Sequence, residues 1–113
     1  MLRRPLPDFF VTAMNTTVSA PPPNFLRIQR ELRRARAYLD ASNIAAASAV
    51  TESVTQQFPQ LGLGWFYRSL AEAADSRLVA ALASAEQAAV LEPNRPEIHA
   101  HLARCYLLRG DAQ

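Results

Sequence analysis

Residues 78–93, LVAALASAEQAAVLEP, follow the same template as residues 44–59, IAAASAVTESVTQQFP, 34 positions earlier. Pro59 and Pro93 close the two stretches. Ala47 and Val54 precede the first, and Ala81 and Ala88 precede the second at the same offsets. Ile44 aligns with Leu78. A period near 34 residues, with small residues at fixed offsets and a closing proline, marks stacked helix–turn–helix units. Such units bury their apolar faces against their neighbours. Working outward at the same offset, Ala35, Ser69 and Ala103 align, as do Ala37, Ala71 and Cys105. Ser42, Ser76 and Gly110 align at a turn. Small side chains are needed where antiparallel helices approach closely, because a large one would push the pair apart. The pattern points to a binding surface rather than a reaction centre.

Helical periodicity begins at Phe25. Phe25, Ile28, Leu32, Ala35 and Leu39 recur at three- and four-residue steps, which predicts an amphipathic helix ending near Ala41. Asn24 is a plausible N-cap for it, and Asn43 for a second helix over Ile44 to Gln57, with Ile44, Ala47, Val50 and Val54 on its inner stripe. Phe58-Pro59 stops the second helix. A third helix is expected from about Leu63 to Ala74, its first turn weakened by Gly62 and Gly64. A fourth runs from Arg77 to Leu91, closed by Glu92-Pro93. Asn94 is placed to cap a fifth, which carries Pro96 in its first turn and reaches about Arg109 before Gly110 ends it. Connections of a few residues force successive helices to lie antiparallel and in contact. Residues 1–24 lack helical periodicity and read as a disordered Pro-containing leader, leaving 25–113 as one helical domain.

Composition narrows the function classes. At 113 residues the chain holds one domain at most, and half of its residues are apolar, enough for a core. A net charge of +2 makes no general case for nucleic acid, and none is expected as a partner. All 12 basic residues are Arg, which fits a GC-rich codon bias and a bacterial source. Cys105 is the single cysteine, so an intramolecular disulfide and a multi-thiolate metal site are excluded. A reducing cytoplasm fits this usage, and a cytoplasmic protein is expected. No apolar run approaches the roughly 18 residues that a membrane span needs. Met1-Leu-Arg-Arg and Phe9 to Met14 imitate part of a secretory signal. Asp8 and Pro21 contradict that reading, and Met14 is a second possible start.

The repeated positions resemble the tetratricopeptide repeat (TPR) family over about residues 28–113. The unit 62–95 places Trp65, Ser69, Ala81, Ala85, Ala88 and Pro93 on the family pattern. The unit 28–61 gives Ala35, Tyr38, Ala47 and Pro59, and a partial unit 96–113 gives Leu102-Ala103, Tyr106 and Gly110. There are departures. Arg68 stands where the family usually has Leu, Glu72 where it has Tyr, and Thr51 and Ala85 replace a larger apolar residue. The resemblance implies an all-α array of antiparallel helix–turn–helix repeats, a TPR-like α-solenoid of about five helices and two and a half repeats.

The resemblance also implies a shallow concave groove, lined by the first helix of each unit, that holds a peptide or partner protein. Arg33, Arg36, Phe66, Tyr67, Leu70, His101 and Arg104 are its candidate lining residues. The arginines would donate to carboxylates in charge-assisted pairs. Leu32, Arg36 and Tyr67 do not match the Lys/Asn clamp with which some family members hold chaperone tails. A scaffold or adaptor is therefore expected, not an enzyme, with no cofactor and no metal. The alternative is the N-terminal repeat portion of a larger enzyme, such as a bacterial transferase. The third unit lacks a second helix, so the chain is expected to be the N-terminal piece of a longer array or, alternatively, to self-associate through the last helix. His99 and His101 lie two residues apart, cannot chelate one metal together, and read as surface histidines. Cys105 aligns with alanines and reads as a buried, inert thiol. Arg27, Arg30 and Arg34 form a strip that reads as solubilising charge. No Ser/His/Asp set, paired-carboxylate site or phosphate-cradling Gly loop can be assembled.

Overall fold

The computed structural model describes residues 24–110, so the expected leader lies outside the described residues apart from Asn24. Within them are five helices: α1 (Phe25–Asp40), α2 (Ile44–Gln57), α3 (Gly62–Ala74), α4 (Leu78–Leu91) and α5 (Pro96–Arg109). Sequential helices pack on one another, and α1, α3 and α5 also touch in series. The first helices of the successive pairs therefore line one side of the array.

The 34-residue register is written into the backbone. Ser42 and Ser76 both adopt φ 61°, and Gly110, a further 34 residues on, adopts φ 78°. Asn43 (φ −91°, ψ 77°) and Arg77 (φ −92°, ψ 76°) match, as do Phe58 (φ −131°, ψ 68°) and Glu92 (φ −131°, ψ 70°). The turns after α1 and α3 close alike. Asn43 N–H donates to Tyr38 O at 2.8 Å and Arg77 N–H to Glu72 O at 2.9 Å. Each bond reaches across a left-handed residue to the last turn of the helix, satisfying a carbonyl that the helix end would leave open. Even a side-chain tie recurs. Trp65 Nε1–H donates to Pro59 O at 2.8 Å, and 34 residues on His99 Nε2 meets Pro93 O at 2.6 Å.

Small residues do what close packing requires. Ala35, Ala47, Ala71, Ala81, Ala85 and Ala88 are all 0% exposed. Gly62 and Gly64 are buried where α3 starts, and the helix begins at Gly62 rather than after it. A Cβ on Gly64 would stand 3.0 Å from Val54 Cγ1, and one on Gly62 would run into Glu92. The glycines that weaken the first turn are what allow α3 to approach its neighbours. One core cluster joins Ala35, Val50 and Val54 beneath Leu32, Tyr38, Phe58, Leu61 and Tyr67. A second joins Ala81, Leu82, Ala85 and Cys105 with Ala73, Leu102 and Tyr106.

Aligned positions separate where neighbours are absent. Ala35 and Ser69 are buried but Ala103 is exposed, because no described helix follows α5. Ala71 and Cys105 are buried but Ala37 is exposed, because no described helix precedes α1. Caps depart from expectation as well. Asn43 Oδ1 accepts from Ala46 N–H at 3.3 Å, but the Asn24 side chain makes no cap bond. Arg95, not Asn94, is the N-cap of α5, since Pro96 at the helix start forces the residue before it into extended geometry.

Candidate interaction groove

Two adjoining depressions open along the α1–α3–α5 side. Gln29, Leu32, Arg33, Arg36, Leu63 and Tyr67 line the first. Arg36, Leu39, Asp40, Phe66, Leu70, Ala74 and Arg104 line the second. Arg36 borders both. Helical spacing explains the assembly: residues three or four apart on α1 and α3 share the face that looks across the groove. Arg33, Arg36, Phe66, Tyr67, Leu70 and Arg104 thus stand around one shared surface. Gln29, Leu39 and Leu63, which the sequence reading does not place in the groove, join them together with Leu32. Their signal is the same three- and four-residue spacing, with Leu32 and Leu39 already on the apolar stripe of α1.

The groove is apolar at its floor and cationic at its rim. The rings of Phe66 and Tyr67 meet at 5.4 Å, tilted by 55°. Arg36 pairs with Asp40 at 3.5 Å. A hydrogen bond with Tyr67, then the Asp40 charge, raise the affinity of the exposed Arg36 guanidinium for its proton. Among the described residues Arg33 and Arg104 have no carboxylate within ion-pair distance. Three guanidinium groups therefore face a single lining carboxylate, already engaged.

His101 is not on the groove surface. It is 5% exposed, and its Nε2 lies 2.8 Å from Ser69 Oγ. Phe66 covers it edge-on, with ring centroids 5.7 Å apart. Burial, and then the charge of Arg104, lower its pKa from the ordinary value. At the 34-residue offset His101 aligns with Tyr67, so the register pointed to the groove. The shorter imidazole instead folds under Phe66 onto the serine. His99 remains exposed, as read. Cys105 is 1% exposed, and burial raises its thiol pKa, which disfavours the reactive thiolate.

A polar seam replaces the large apolar pair in the first helix of the middle unit. Arg68 Nε donates to Glu72 Oε2 at 3.1 Å, and Arg68 Nη1 to Thr55 Oγ1 at 3.0 Å. Glu72 is 3% exposed, and its Oε1 accepts from Ser84 Oγ–H at 2.7 Å. The Arg68 guanidinium also lies 5.3 Å from the Trp65 ring centroid. The seam links α3 to α2 through Thr55 and to α4 through Ser84.

The paired helices and their 34-residue backbone register define a TPR-like α-solenoid of two and a half units. Among solved structures the chain is similar to MamA, from residue 41 to its end, of Desulfovibrio magneticus RS-1. The two are 22% identical, with a TM-score of 0.68, over 94% of this chain and 59% of that one. The likeness is one of fold. No protein-family model and no curated protein matches the chain. Among the described residues no helix is long and apolar enough to cross a membrane.

Proposed function

We propose that the chain is a protein-interaction module of scaffold or adaptor type, which holds a segment of a partner protein in the groove along α1, α3 and α5. The observation that carries this reading is the groove itself, with Phe66, Tyr67 and Leu70 offering apolar contact between arginines. Apolar contact supplies affinity, and the guanidinium groups of Arg33 and Arg104, without a carboxylate partner among the described residues, orient acidic side chains of the segment.

The test is affinity capture with the wild-type chain and with the Tyr67→Ala/Arg104→Ala double variant, followed by binding measurements on the captured partner. The double variant is expected to keep its helical circular dichroism while partner affinity falls at least about tenfold. Added salt should weaken the wild-type complex as rim charges are screened. Equal binding by the folded double variant rejects this groove.

A further inference from the structure

His101 sits at the joint where α5 meets the α3–α4 pair. Ser69 Oγ–H donates to Ala81 O at 2.6 Å, so its one proton is committed. His101 Nε2, 2.8 Å from the same oxygen, then carries the ring proton that Ser69 accepts. Nδ1 is left as a bare acceptor, buried and without a hydrogen-bond partner among the described residues. Cys105 Sγ fills the remaining side, 3.4 Å from Nε2.

A second proton on this ring has nowhere to bond. It would add a donor at Nδ1, where no described residue accepts, and a charge beneath Phe66. Nearby ions do not relieve it. Arg104, the next residue in α5, is positive. Glu72 of α3 is held by Arg68 and Ser84, and Glu86 of α4 by Tyr106. Glu97, one turn earlier on α5, is paired with Arg95, and Asp40 of α1 with Arg36.

We propose that His101 makes the docking of α5 onto α3 and α4 sensitive to pH: the neutral imidazole seals the joint, and its protonation opens it. The direction follows from linkage. In the opened joint His101 regains the ordinary histidine value near 6.5, whereas docked it lies lower. The open form therefore binds the proton more tightly. Docking is fully supported above about pH 6.5 and is lost progressively as pH falls below it. Because Phe66 and Arg104 also border the groove, opening the joint takes one end of the groove apart.

Cys105, the single thiol, lies inside the joint and reports on it. The rate at which 4,4′-dithiodipyridine labels Cys105 is measured from pH 7.5 to 5 and divided by the rate for a short unstructured thiol peptide. The wild-type ratio is expected to rise by up to about tenfold per pH unit below about 6.5. In His101→Gln, whose amide can still bond Ser69 but does not titrate, the ratio should stay flat. A flat wild-type profile, or an unchanged acid rise in His101→Gln, overturns the proposal. Should that variant fail to fold, proton NMR of the wild-type chain decides. The His101 ring is expected to become charged only as the α5 amides lose exchange protection. A ring that titrates near 6.5 with α5 still protected also overturns it.

Discussion

Serine is a costly residue to hold at φ 61°, because its Cβ crowds the following carbonyl, yet Ser42 and Ser76 both do so. Each ends the first helix of a pair, and the left-handed residue reverses the chain so that the second helix runs back along it. At the third such position the chain has Gly110, which pays no such penalty. Both serines are exposed, and neither side chain makes a hydrogen bond among the described residues. Ser76→Gly should therefore raise unfolding stability by up to about 1 kcal/mol, offset in part by greater backbone freedom in the unfolded chain. Urea denaturation followed by circular dichroism would show a higher midpoint at unchanged slope. A lower midpoint would mean that the added freedom of the unfolded chain outweighs the relieved left-handed strain. The turn itself was legible in the sequence through the aligned Ser42, Ser76 and Gly110. The burial of His101 was not, because register specifies a face of the helix but not whether a shorter side chain reaches that surface.

The third helix shows how an element absorbs a departure from its pattern. Arg68 and Glu72 depart from the pattern of the resembled family, which usually has Leu and Tyr at these positions. In the folded chain they form a satisfied ion pair, four residues apart on α3, that reaches both flanking helices. The sequence could not reveal this, since the partners Thr55 and Ser84 lie on other helices, each 12 or 13 residues away. Glu72 is nearly buried while Arg68 keeps 29% of its side chain exposed, so the two partners are not equivalent. Arg68→Leu leaves a buried carboxylate without its cation and should cost about 2–4 kcal/mol. Glu72→Leu leaves an arginine that can turn toward water and should cost less. The double variant Arg68→Leu/Glu72→Leu should recover much of the loss, because an apolar pair there removes the desolvation cost of both charges and leaves only the Ser84 hydroxyl without its acceptor. Equilibrium unfolding of the three variants forms a double-mutant cycle. Additive losses would show that the seam carries no coupling.

At the scale of the whole molecule, stability in a helical array is a sum over units and the contacts between neighbours. α3 has α2 on one side and α4 on the other, and it also touches α1 and α5, whereas α1 and α5 each lack a described neighbour on one face. The exposure of Ala37 and Ala103, at positions buried elsewhere in the register, records that difference residue by residue. So does the exposure of Leu107 and Leu108 on α5, at 66% and 50%. Helices with fewer buried contacts open more readily without unfolding the rest. Amide hydrogen exchange at neutral pH should therefore be graded, slowest in α3 and α4 and faster in α1 and α5. Self-association through α5 would break that symmetry: protection of α5 would rise with protein concentration while that of α1 stayed constant. Uniform exchange at all concentrations would instead show that the five helices unfold as one cooperative unit, with the contacts between units outweighing the exposed ends.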